Sequence, residues 1–158
     1  MGDSTPPLIT PVITGPLGSN GWYVGNAQVS WTVTDPDSPI TARTGCGTTN
    51  VTTDTAGRTL TCSATSSGGT NSVSVTIKRD TRAPTATASA LPVANSAGWR
   101  KGPVSVSFSG ADTLSGGVTC DPPVVLSGEG RNQSAAGYCQ DAAGNRSAQA
   151  RARGISID

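Results

Sequence analysis

The chain has 158 residues, of which 34% are hydrophobic, 4% aromatic and 13% charged, with a formal net charge of +1. So weak a charge offers no basic field for phosphates and no polybasic segment for anionic lipid, which excludes nucleic acid and membrane surfaces as expected partners. Abundant Ser, Thr, Gly and Pro with little Leu or Met favour short strands over helices, so the expected fold class is all-β, as one loose domain or two small ones of roughly 75 residues.

No apolar stretch approaches the roughly 20 residues of a membrane span. Met1-Gly2 runs straight into Asp3-Ser4-Thr5-Pro6-Pro7 with no signal-peptide core, so these two residues read as additions to a segment of a longer protein. Val12-Ile13 opens the first strand, and Gly21-Trp22 marks a turn. From Ala27 to Asp35 the residues alternate, with Val29, Trp31 and Val33 on one face and Gln28, Ser30, Thr32 and Thr34 on the other, the pattern of a half-buried strand. Leu60, Cys62 and Ala64 form the inward set of a later strand, and Ser72 to Ile77 alternates again. Asp80-Thr81-Arg82-Ala83-Pro84 follows, whose proline fixes φ and removes a donor, so residues at about 80–85 read as a short, semi-rigid linker.

Beyond it the same markers return in order: Gly98-Trp99, an alternating strand from Val104 through Val106 and Phe108 to Asp112, two cysteines, and a closing Ile155 to Asp158. Trp22 to Trp99, Asp35 to Asp112 and Cys62 to Cys139 are each 77 residues apart, and Cys46 to Cys120 is 74. The chain is therefore expected to be two repeats, 3–79 and 80–158, in an extended arrangement. About six or seven short strands fit each repeat, the count of a Greek-key sandwich.

Four cysteines at matched places, with no histidine and no CxxC, read as two disulfides. Of the three possible connectivities, Cys46 to Cys62 and Cys120 to Cys139 is the one that respects the repeat. Zinc is disfavoured, because a four-cysteine site would have to gather ligands from both repeats. Disulfides imply an oxidising compartment, hence an extracellular location, secreted or at the cell surface.

Cys139-Gln140-Asp141-Ala142-Ala143-Gly144-Asn145 resembles, with shortened spacing, the Cys-x-x-x-Asp-x-x-Gly-Asn ending of bacterial Ig-like and HYR-like repeats. The Asp-Thr-x-Ala-Pro segment from Asp80 to Pro84 and the Gly-Trp before an alternating strand are similar to the same repeats. The resemblance covers nearly all of both copies. It implies tandem immunoglobulin-like sandwiches used as stalk, spacer or adhesive modules, sometimes appended to secreted enzymes. The first repeat departs from the pattern, since no Asp follows Cys62 in the corresponding turn. The cysteine spacing departs from that of antibody domains, whose paired cysteines lie further apart.

An Ig-like strand order brings the loop after the second strand, the last hairpin and the incoming linker to one end of a domain. In the second repeat that end would collect Asp80, Asp112, Asp141 and Asn145, oxygen ligands that suit a Ca²⁺ ion at the interdomain junction. The competing reading is that these residues make Asx-turns to their own backbone. Trp22, Tyr23 and Trp99 are either sugar-stacking platforms or aromatics closing the end of a sandwich. Lys78 and Lys101 read as solvated lysines rather than partners in an isopeptide bond. Without histidine, and with Glu129 the only glutamate, no acid–base or nucleophilic constellation emerges, so no enzymatic activity is expected. The expected function is that of a non-catalytic structural or adhesive module, whose partners are neighbouring domains of a longer chain. The alternative is an accessory module of a secreted enzyme that binds a cell-surface glycan or protein.

Overall fold

In a computed structural model of the protein, which describes residues 2–158, all regular structure is β and no helix occurs among the described residues. The chain separates into two units, one ending at Thr81 and one running from Arg82 to Asp158.

The first unit has seven strands: β1 (Leu8–Thr14), β2 (Trp22–Tyr23), β3 (Ala27–Thr34), β4 (Ala42–Thr44), β5 (Thr49–Val51), β6 (Thr55–Ser66) and β7 (Gly69–Arg79). They form two sheets in the orders β1-β3-β5 and β2-β7-β6-β4. The chain changes sheet at every connection from β1 to β6, and only β6 and β7 are consecutive strands of one sheet, joined as a hairpin. Alternation along β3 follows from the period of an extended chain: Ala27 and Val29 are buried, while Gln28 is exposed. Val29, Val51 and Ile77 are at most 1% exposed and pack with Ile13, Trp31, Leu60 and Val75 drawn from both sheets. Each such side chain contributes on the order of 1.5–3 kcal/mol by leaving water. A second cluster joins Ile9, Cys62 and Ala64 to Trp31, Val33 and Val73.

The second unit repeats the plan with β8 (Thr87–Leu91), β9 (Trp99–Arg100), β10 (Val104–Ser109), β11 (Thr119–Cys120), β12 (Val124–Leu126), β13 (Gly130–Gly137), β14 (Cys139–Gln140) and β15 (Ala150–Ile157). One sheet runs β12-β10-β8 and another β13-β15-β9, with β11 paired to β14. Val104 and Val106 pack against Ala135, Ile155 and Ile157. Phe108 packs against this core, and Gly137 leaves room for its ring, since a Cβ there would come within 2.8 Å of it.

Each unit carries one disulfide, Cys46 to Cys62 and Cys120 to Cys139. Both link neighbouring strands of the same side of the sandwich. Cys46 lies just beyond β4 and Cys62 in its neighbour β6, while Cys120 and Cys139 stand directly opposite each other in β11 and β14. The bonds therefore do not bridge the two sheets as the antibody disulfide does, which accounts for the short spacing seen in the sequence.

Both units also share a parallel pairing at one end. Trp22 and Tyr23 of β2 pair with Lys78 and Arg79 of β7, and Trp99 and Arg100 of β9 pair with Ser156 and Ile157 of β15. The next N–H continues each ladder, from Asp80 to the Tyr23 carbonyl at 2.9 Å and from Asp158 to the Arg100 carbonyl at 2.9 Å. The copies differ in their last strand. β15 carries an extra residue where Gln133 faces Ile155 and Ala135 faces Ala152, and Gly154 takes the left-handed φ of 65° that such a bulge demands.

Candidate functional site

Carboxylates gather at one end of the first unit. Asp3, Asp35 and Asp37 each place an oxygen within 4.8 Å of the others. Asp35 and Asp37 follow the last residue of β3, and Asp35 Oδ1 accepts the N–H groups of Asp37 at 2.9 Å and Ser38 at 3.2 Å, an Asx-turn between Pro36 and Pro39. Asp3 enters from the N-terminal segment, where it accepts from Thr5 N–H at 2.9 Å and from the hydroxyls of Ser38 and Ser66. Thr5 in turn donates its hydroxyl to Asp37 Oδ2 at 3.2 Å. The Ser38 hydroxyl, then the Thr5 N–H, holds the Asp3 carboxyl below its ordinary value by stabilising the charged form. Asp35 Oδ2 is closed off from solvent and meets no hydrogen-bond donor. Gly68 makes the close entry possible, since a Cβ there would lie 1.9 Å from the Thr5 carbonyl oxygen.

In the second unit Asp112 and Asp141 bring carboxylate oxygens within 4.8 Å of each other. Asp112 Oδ2 accepts the N–H groups of Leu114 at 3.1 Å and Gly116 at 2.8 Å and the Ser115 hydroxyl at 3.2 Å. Burial pushes its pKa up, but the Gly116 and Leu114 N–H groups outweigh that and hold it below the ordinary value. Asp141 is buried and accepts from both the backbone N–H of Asn145 at 2.9 Å and its side-chain Nδ2 at 3.1 Å. Its own N–H returns to the Asn145 carbonyl at 3.0 Å, which closes the Asp-x-x-Gly-Asn turn. Three of the four residues expected around Ca²⁺, Asp112, Asp141 and Asn145, thus share this corner of the second unit. Asp80, the fourth, follows β7 in the first unit and is fully buried.

The cluster of Asp3, Asp35 and Asp37 escapes a search for a counterpart of Asp141 after Cys62, because the third carboxylate comes instead from the loop after β3. The signal was present in Asp35-Pro36-Asp37 and in the place of Asp3 at the domain entrance, by the same strand-order reasoning that singled out Asp112 and Asp80.

The aromatic candidates are placed differently in the two copies. Trp22 is 8% exposed, with Lys78 Nζ 5.0 Å from its ring centroid, and Tyr23 is half-buried against the core of Val29 and Ile77. Trp99 is half-buried, with the Arg131 guanidinium 5.2 Å from its ring. An open cleft of about 440 Å³ lies beside Cys120 and Cys139, lined by Thr119, Asp121, Tyr138, Gln140 and Arg146. Arg146 stacks 3.6 Å from the Tyr138 ring centroid and covers the aromatic face a sugar would use.

No protein-family model matches the chain, and no curated protein matches it. Among solved structures, the fibronectin(III)-like modules of Clostridium thermocellum CbhA are similar over 94% of this chain and 94% of theirs, at 13% identity and a TM-score of 0.37. A structure describing the basis of Dscam isoform specificity is similar over 99% of this chain and 47% of that one, at 10% identity and a TM-score of 0.35.

Proposed function

We propose that the chain is a non-catalytic extracellular module that bears tension or presents neighbouring domains, as a stalk, spacer or adhesive link of a secreted or surface protein. The observation that carries this reading is the parallel pairing of an early strand with the last strand in each unit, β2 with β7 and β9 with β15. Tension applied between the ends of a unit loads such a ladder in shear, so its hydrogen bonds must yield together rather than one after another. The disulfides support the same role, because each shields a loop from extension and restricts the unfolded chain. Disulfides also suit an oxidising environment. The lack of any histidine, and carboxylates engaged by turn N–H groups, fit a module without catalysis.

Single-molecule stretching of the chain tests this. Each unit is expected to unfold at a distinct force peak. On reduction the released length should grow by about 60 Å for the first unit and about 70 Å for the second, as loops of 16 and 19 residues open at about 3.6 Å per residue. Extension without a resolvable peak for either unit would sink the reading.

A role for Ca²⁺ belongs to the same proposal. It is favoured by the buried Asp35 Oδ2, which meets no donor beside Asp3 and Asp37 and would suit a hard cation that takes oxygen ligands. The melting temperature is expected to rise at millimolar Ca²⁺ and to stop responding in Asp35→Asn. An unchanged melting curve for the unaltered chain removes calcium from the account.

A further inference from the structure

The outward face of the β13-β15-β9 sheet differs sharply from its counterpart in the first unit. In β15, Ala150, Ile155 and Ile157 are buried, which leaves Arg151 and Arg153 exposed on the other side. Trp99 joins this face through its pairing with Ser156, and exposed Arg131 lies over the Trp99 ring at 5.2 Å. None of the three arginines forms a salt bridge with a carboxylate among the described residues. Arg151 Nη2 donates to Gln149 Oε1 at 2.9 Å. The nearest acidic residues along the chain, Glu129 before β13 and Asp158 after β15, are not paired with them.

In the first unit Ser74 and Thr76 stand 77 residues before Arg151 and Arg153. Their hydroxyls pair with Thr61 at 2.7 Å and Thr59 at 3.0 Å, and the ladder continues through Ser72 with Ser63 and Thr70 with Thr65. One fold thus presents a face of hydroxyls that satisfy one another, with Lys78 over Trp22 at its end, and in the other copy a face with three arginines.

We propose that the Arg131, Arg151 and Arg153 face of the second unit binds an acidic polysaccharide through its uronate carboxylates. This rests on the adhesive reading above and names what the module would adhere to. The guanidinium fork matches a carboxylate with two parallel hydrogen bonds. Arg151 and Arg153 project from one strand about 7 Å apart, so they can engage successive charges of an extended polymer lying on the sheet. The Trp99 ring, 5.2 Å from the Arg131 guanidinium carbon, keeps that cation on the same face through a cation–π contact.

The full chain should be retained on immobilised polygalacturonate at low salt, more weakly as salt rises, and not on its methyl-esterified form. The R151S/R153T double substitution introduces the residues of the first unit at these two places, and its Kd is expected to rise at least tenfold with the melting temperature unchanged. Should that protein fail to fold, R131A replaces it, with a loss of at least threefold expected. Equal binding by the folded variant, or no binding by the unaltered chain at low salt, overturns the proposal. So does equal binding to duplex DNA or to phosphatidylglycerol vesicles, which would make the face a general polyanion patch. The force peaks under tension do not depend on these arginines, so an absent ligand response with normal unfolding forces would refute the ligand and spare the mechanical reading.

Discussion

Asp112 and Gly68 illustrate how single residues fix the ends of these sandwiches. The Asp112 carboxyl is held below its ordinary pKa by the N–H groups of Gly116 and Leu114 although partial desolvation opposes them, and Asp3 is held low by Ser38 and Thr5. A folded pKa below the unfolded one adds stability above about pH 4, and that contribution is lost as pH falls through the folded value. Thermal melts should therefore show stability falling below about pH 4, less steeply in Asp112→Asn than in the unaltered chain. At neutral pH, Asp112→Ala should cost about 1–3 kcal/mol, because the Gly116 and Leu114 N–H groups lose their acceptor. Gly68→Ala forces a methyl group against the Thr5 carbonyl, which must move with the segment that carries Asp3. A loss of about 1–3 kcal/mol is expected in denaturant titrations. A neutral result there would mean that the entry segment does not pack as described.

At the scale of strands, the disulfides tie neighbours that the backbone ladder already joins. By loop entropy, closing 16 residues contributes about 3 kcal/mol, which a Cys46→Ala/Cys62→Ala protein should lose in urea unfolding. Much of the strand layout was legible in the sequence. Alternation from Ala27 to Asp35 and from Ser72 to Ile77 marked β3 and β7, because inward apolar and outward polar residues leave a period of two. The cysteine pairs were legible through the repeat. What escaped were elements too short to carry a period: β2, β9, β11 and β14 have two residues each and exist through tertiary pairing alone. That Asp112, Asp141 and Asn145 gather at one corner of the second unit was legible from strand order and turn chemistry. The approach of Asp3 to Asp35 and Asp37 depends on Gly68 clearing room in another hairpin, a steric fact that no local pattern records. The arginine face was hidden by a net charge near zero, since clustering on one side of one sheet is invisible to composition.

For the whole molecule, the two units share one strand plan and one staple while their surfaces have diverged. Both staples are worth a similar amount by the loop argument, so reduction should lower the melting transition of each unit. For domains of this size each kcal/mol corresponds to about 4–8 °C, which makes a fall of at least about 10 °C the expected result in calorimetry with reductant. A transition that ignores reductant would show that its disulfide adds nothing to the fold. Gly154 bears on how such copies can change. Its bulge takes up one inserted residue between Arg153 and Ile155, so the buried positions of β15 stay on the inside although the chain has lengthened. In evolutionary terms, this strand has a place where an insertion does not invert every side chain after it. Repeats built this way can drift in length and surface chemistry while their interiors stay interchangeable.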